Sequence, residues 1–577
     1  GRVGVDMTRA PRMKLPSRPR RKFLPAKFDP ADARALVARF RELDRRPLPD
    51  LPSVMRWFDE TQELAVVMGE HDALCHIRKS VNTRDARARK AYLHLIQKVH
   101  PATAPWWDRL GRRLLGHPLR ARFSKRWGLM LRKKQVAVDL FRKENIPLDR
   151  KIEETADGYA RLMAGLQVEF DGRKQTLSQM GVYLERPDRE LREKAWRIAA
   201  ERRLREAGKI EATFDVLLEL RHRVARNAGF RSYRDYAHRK FCRFDYTPDD
   251  CFRFHEAVEK GVVPAVRAIR ARRAREMGVG QMRPWDVAAD SKGRPALQPF
   301  KDGSELALRV ARVFARLDPT LAGQFRLLMR RGLLDLDNRP FKEPGGYQCT
   351  LDESRVPFIF MNAVGRDTDV RTLLHEAGHA FHMLAARDEE VLDYRQAPME
   401  FCEVASMSME LLANRHAGVI YPKRDDLERS TRALLGGAIE ILPWIATIDA
   451  FQHWLYTHPG HSRGARRAAW LKIRGRFNDG CDWSGLERFH AALWHRQLHL
   501  FHMPFYYIEY GIAQLGALGL WRKALANPQA ALAAYQRALA LGGTVGLKAL
   551  FRAAGLELDF RPAAMRRIVA AVMARVG

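Results

Sequence analysis

Val370-Arg371-Thr372-Leu373-Leu374-His375-Glu376-Ala377-Gly378-His379-Ala380-Phe381 is the stretch from which the rest of this 577-residue chain is read. Val370, Leu373, Leu374, Ala377, Phe381 and Leu384 recur at helical spacing, which predicts a buried amphipathic helix. Asp367 and Asp369 stand just upstream, where they can cap its N-terminus. On such a helix His375 and His379 project from one face, with imidazoles close enough to hold one metal ion. Glu376 lies near that face, placed to take a proton from an attacking water. With 19 histidines in 577 residues, chance supplies this pattern only about 0.04 times. Gly378 costs the helix about 1 kcal/mol relative to alanine, a cost best tolerated where another backbone or a ligand comes close.

A catalytic zinc usually takes three protein ligands and keeps one open position. The long zincin motif would put a third histidine at position 385, which is Ala385, so that class is excluded. A later helix offers carboxylates instead. Pro398-Met399-Glu400-Phe401-Cys402-Glu403-Val404-Ala405-Ser406 puts Glu400 and Glu403 on one face, and Glu410 continues it. Phe401, Val404, Met407, Met409 and Leu411 between them predict that this helix is buried rather than a solvated acidic surface. The chemistry alone leaves open which glutamate binds the metal and which orients a histidine. Pro357-Phe358-Ile359-Phe360-Met361 reads as a strand, expected to offer an edge along which an extended peptide could pair.

Four blocks carry a wider likeness: Gly345-Gly346-Tyr347, Pro357-Phe358-Ile359-Phe360, His375-Glu376-Ala377-Gly378-His379-Ala380-Phe381-His382, and Glu400-Phe401-Cys402-Glu403-Val404-Ala405-Ser406. Together they resemble the thimet oligopeptidase and oligoendopeptidase F family, over most of the chain from about residue 24 onward. The resemblance implies one zinc ion held by His375, His379 and Glu403, with Glu400 a candidate to orient them. It also implies a mostly α, multi-helix peptidase with a deep channel that admits short peptides and excludes folded proteins. A small β-sheet is expected beside the zinc-binding helix.

Residues 495–510, His-Arg-Gln-Leu-His-Leu-Phe-His-Met-Pro-Phe-Tyr-Tyr-Ile-Glu-Tyr, gather three histidines and three tyrosines. Peptide hydrolysis needs donors aimed at the oxyanion, and such side chains can supply them. By the same resemblance His499 is the histidine of this half-site, with Tyr507 and Tyr510 as donors and Tyr506 as the alternative one residue away. The competing reading is an aromatic core patch. His495 and His499 are also four apart, but no glutamate stands between them, and the pair is not read as a metal site.

The basic excess is large: 102 Lys and Arg against 68 Asp and Glu give a net charge of +34. Such a field favours nonspecific contact with polyanions. The basic residues are spread along the chain, no nucleic-acid motif stands out, and no specific nucleic-acid partner is expected. No stretch reads as transmembrane, because Glu440, Pro443 and Asp449 interrupt the longest apolar run. Arg20-Arg21 superficially resembles an export signal, but no apolar region follows. Gly1 opens the chain, and Met7 is expected as the natural start. Six cysteines without metal or disulfide spacing read as reduced thiols of a cytoplasmic protein.

The domains are expected to be a basic disordered tail over residues 1–25, an N-terminal helical domain over 26–185, and a catalytic helical domain over 186–577. Residues 279–303 are expected to form a loop and 338–362 the strand-like part. Asp29 is expected to open the first helix. A long helix starting near Asp188 runs to Asn227 with a break near Gly208. The function expected from all of this is zinc-dependent endopeptidase activity on short oligopeptides, with Glu376 as general base. The alternatives are a zinc exopeptidase and a basic helical binding protein with a vestigial metal site.

Overall fold

The computed structural model describes residues 13–339 and 341–576. Helix accounts for 68% of it, so the fold is mostly α as expected. Among the described residues the strands are β1 (Gln167–Phe170), β2 (Arg173–Thr176), β3 (Leu334–Asp337), β4 (Tyr347–Leu351) and β5 (Val356–Ala363). The β1–β2 hairpin adds to the strands expected from the sequence; Asp171-Gly172 at its tip is a strong turn signal. Both residues have positive φ, 53° and 66°, as a two-residue hairpin turn of this kind demands.

The chain forms two compact units. One contains the chain up to Arg150, Pro299–Pro422 and Asn527–Leu556; the other contains Lys151–Gln298, Lys423–Ala526 and the chain from Glu557 on. A linear boundary at residue 186 cannot follow a chain that alternates between units in this way.

In the first unit, Leu36, Phe40, Trp57, Phe58, Leu64 and Met130 belong to a continuous apolar core. Its first helix, Ala33–Arg45, is capped by Asp32 rather than Asp29. Residues 1–12 of the expected tail lie outside the described residues. Residues 13–25 are held in place, because acidic groups answer their charge. Arg21 donates to both oxygens of Glu353 at 2.6 and 3.0 Å. Glu63 accepts the backbone N–H groups of Lys22, Phe23 and Leu24, and Leu24 is buried in the core.

The sheet of this unit has the order β3-β5-β4, with β3 parallel and β4 antiparallel to β5. Pro357–Met361 is therefore in the central strand, both of whose sides are taken, and the outer strands are β3 and β4. The helix Asp367–Ala386 packs on β5 and β4, and most closely on the helix Met399–Ala413.

In the second unit the long helical stretch is two helices, Arg189–Leu204 and Ala207–Asn227, parted just before Gly208. Residues 279–302 carry neither helix nor strand. Several arginines serve this interior. Arg192 and Asp286 pair at 2.9 Å with both side chains nearly sealed from solvent, and Arg466 is buried against Glu211 and Asp215. Part of the basic excess is thus structural rather than a solvated surface. The segment Arg424–Thr457, apolar enough to cross a membrane by composition, is 78% buried over its most apolar window. It forms two core helices, Arg424–Glu440 and Leu442–Thr457.

Candidate metal centre

The helix Asp367–Ala386 starts where its acidic cap puts it. Asp369 accepts the backbone N–H groups of Val364 and Arg366 at 2.8 and 2.9 Å. Two turns on, His375 and His379 lie with ring centroids 5.0 Å apart. The neighbouring helix brings Glu403 across them. Its Oε2 is 3.3 Å from His375 Nε2 and 3.5 Å from His379 Nε2. Donor atoms of these three residues all lie within 4.8 Å of one another, a set of two imidazoles and one carboxylate that suits zinc.

Gly378 explains how the two helices come so close. A Cβ at this position would fall 2.6 Å from Ser406 Cα and 2.7 Å from Ala405 O. The approaching backbone that a glycine inside the motif called for is therefore that of the Glu403 helix. Tyr535 Oη donates to Ala405 O at 2.8 Å and fastens the same turn.

Both histidines are oriented from behind. His375 Nδ1 lies 2.7 Å from Glu410 Oε1, and His379 hydrogen-bonds the Cys402 backbone. Of the two further glutamates, Glu410 is the one that meets His375, while Glu400 is buried in the first turn of its helix. Burial opposes charge on His375, but Glu403 and Glu410 outweigh it and raise the ring well above its usual value. The concentration of negative charge they create is what a divalent cation answers. Burial depresses His379 to about 4, keeping it in the neutral form that binds metals.

Glu376 is buried beside His375, His379 and Glu403. Burial pushes its carboxyl up to about 7, with His375 opposing and Glu403 and Glu410 adding. The backbone N–H of Gln348 on β4 donates to it, while Oε2 has no hydrogen-bond partner. A carboxylate poised near neutrality with one open oxygen is equipped to accept and return a proton.

The His499 cluster belongs to the second unit. Tyr506, Tyr507 and Tyr510 all surround His499, at centroid distances of 5.7, 5.0 and 5.5 Å. Buried arginines fix the segment: Arg221 donates to the carbonyls of Leu500 and Phe501, and Arg243 to Phe505 O and Glu509. Two residues that the sequence did not suggest set the imidazole's chemistry. Trp444 Nε1 donates to Gln497 Oε1 at 3.0 Å, which turns the amide nitrogen toward His499 Nδ1 at 2.9 Å. Trp has only a proton to give, so Gln497 must donate to Nδ1, and the proton of the neutral ring sits on Nε2. That nitrogen lies 3.3 Å from Tyr510 Oη. Burial holds the Tyr507 hydroxyl up to about 12, so it keeps its proton as a donor.

This geometry has relatives. The profile described as peptidase family M3 matches residues 182–302 and 320–569, and that of the peptidase M3 N-terminal domain matches residues 23–141. A solved structure of Pz peptidase A with an inhibitor is 25% identical, with a TM-score of 0.91, covering 96% of this chain and 99% of that one. A structure described as an oligoendopeptidase F is 26% identical at the same TM-score, covering 96% and 98%. An oligoendopeptidase F homolog of Lactococcus lactis subsp. lactis (strain IL1403) is 22% identical over 203 residues, 35% of this chain. The plasmid oligoendopeptidase F of Lactococcus lactis subsp. cremoris is 22% identical over 204 residues. The matched stretch spans about a third of each curated relative, 32% and 33%. With both profiles falling on this chain and the larger one spanning the His375, His379 and Glu403 cluster, the chain belongs to peptidase family M3.

Proposed function

We propose that this protein is a zinc-dependent endopeptidase that hydrolyses short peptides. The observation that carries the reading is the convergence of three metal-binding side chains on one point beside the buried carboxyl of Glu376, with its open Oε2. His375, His379 and Glu403 would hold the ion, which when bound supplies a Lewis acid for the scissile carbonyl and its attacking water. Glu376 takes the proton of that water and returns it to the leaving amine. Glu410 and the Cys402 backbone hold the two imidazoles in register. The outer strand β4, whose Gln348 N–H reaches Glu376, would pair with an extended substrate backbone. His499 serves as an oxyanion donor through Nε2–H, with Tyr507 and Tyr510 as its companions and Tyr506 as the alternative. The deep, size-limiting channel and a cytoplasmic location are part of the same proposal. The six cysteines, none in a disulfide, suit a reducing compartment.

The test is Glu376→Gln. This variant keeps the size and burial of the side chain but removes the base. It is expected to retain stoichiometric metal while peptidase activity falls by at least about 1,000-fold, within the range of such losses. Full activity in metal-loaded Glu376→Gln would refute the role.

A further inference from the structure

A second gathering of metal-binding side chains lies in the second unit. His238 stands on the helix Tyr233–Lys240, Cys251 on Pro248–Gly261 and His453 on Leu442–Thr457. Their donor atoms lie within 4.8 Å of one another, and all three residues are buried, at 7%, 1% and 3% exposure. His238 Nδ1, His453 Nδ1 and Oδ1 of Asp449 have no hydrogen-bond partner, while His453 Nε2 faces the Asp449 carboxylate. Buried polar atoms are paired in roughly nine cases of ten or more, so such a concentration in one place points to a ligand.

The donor chemistry selects the ligand. A sulfur with two imidazoles is a set for zinc, not for calcium or magnesium, which require oxygen. Asp449 stands one turn before His453 on the same helix, its Oδ2 3.4 Å from His453 Nε2 and 2.8 Å from His255 Nε2. Its carboxylate and the Cys251 thiolate supply the two negative charges that would balance a zinc ion. Arg243 Nη1 lies 3.3 Å from His238 Nε2, and Glu509 at 2.9 Å answers its charge. The rings of Phe252 and Phe505 approach His453 at 4.8 and 5.4 Å. Their enclosure suits a closed structural site rather than one open to substrate.

We propose that His238, Cys251 and His453 form a second zinc site, its charge balanced by the neighbouring Asp449, that ties these three helices together. The distance along the chain explains why spacing does not reveal it: each of the three comes from a different helix.

The test uses the full-length protein loaded with cobalt in place of zinc. Thiolate bound to cobalt gives a near-ultraviolet charge-transfer band, and the His375, His379 and Glu403 cluster contains no sulfur. Wild type is expected to bind two equivalents and show the band. His375→Ala/His379→Ala should lose one equivalent and keep the band. Cys251→Ser should lose one equivalent together with the band, and keep its peptidase activity. Absence of the band in cobalt-loaded wild type, or a band that survives Cys251→Ser, overturns the proposal. Zinc-edge X-ray absorption on wild type needs no variant: a sulfur at about 2.3 Å is expected, and nitrogen and oxygen neighbours alone would overturn the site. These readouts are independent of whether the first site proves catalytic.

Discussion

Gly378→Ala probes the link between helix packing and metal binding. The added Cβ would lie 2.6 Å from Ser406 Cα and 2.7 Å from Ala405 O. Both are backbone atoms of the Glu403 helix, so no side chain can rotate out of the way. An ordinary carbon contact is about 3.5 Å, which requires the two helices to separate by about 0.9 Å. Glu403 precedes Ser406 by less than a turn and moves with it. Its contacts with His375 and His379, now 3.3 and 3.5 Å, lengthen by a comparable amount.

Stability is a poor readout of this change, because overpacking costs about 1–3 kcal/mol and alanine returns about 1 kcal/mol of helix propensity. Metal affinity is a sharper one. Disturbing the groups that orient metal ligands typically costs about 10–100-fold in affinity, and that range is expected here. Competition with a chromophoric chelator measures it directly. Gly437→Ala is the control: it lies on the helix Arg424–Glu440, where an added Cβ would meet no neighbouring atom within 4 Å, and it should leave affinity unchanged. Wild-type metal affinity in Gly378→Ala would refute the packing argument.

Three further outcomes follow from the same geometry. Glu410→Gln, which replaces the carboxylate 2.7 Å from His375 Nδ1, should weaken metal binding by about 10-fold or more; unchanged chelator competition would contradict that role. Gln497→Leu removes the donor that fixes His499, and kcat should fall about 10-fold or more with KM little changed; a change in KM alone would remove His499 from the oxyanion role. Arg189, Arg192 and the Arg283 backbone hold Asp286 below the usual carboxylate range against the effect of burial. Its contribution is therefore present above the unfolded-state value of about 3.9 and is lost as pH falls through the lower folded-state value. Urea midpoints of wild type and Asp286→Asn should differ at neutral pH and converge below about pH 4; a gap independent of pH would refute the linkage.

The helix that carries His375, Glu376 and His379 is legible in the sequence because its pattern is local. His375, Glu376 and His379 fall on adjacent turns, and the apolar spacing that buries the helix also aims them. Glu403 is legible for the same reason, as one of a few carboxylates on a second apolar helix. Gly378 signals a close neighbour without identifying it, since the clash is with Ala405 and Ser406 on another element. Apolar runs do not disclose sheet order, so Pro357–Met361 reads as a free edge although it is central. The neighbour on its far side, β3, is supplied by a short segment upstream. The Trp444–Gln497–His499 relay and the His238, Cys251 and His453 cluster stay hidden because tertiary packing alone brings their members together. Composition misleads on residues 13–25, where a basic segment is ordered by acidic partners on distant elements.

The most direct test of the central claim is hydrolysis of end-blocked peptides of graded length, with and without a zinc chelator. Internal cleavage of short peptides that the chelator abolishes and zinc restores, fading for long chains and folded proteins, is the predicted result. Cleavage that persists after the metal at His375, His379 and Glu403 is removed, or no cleavage at any length by zinc-loaded protein, would contradict it.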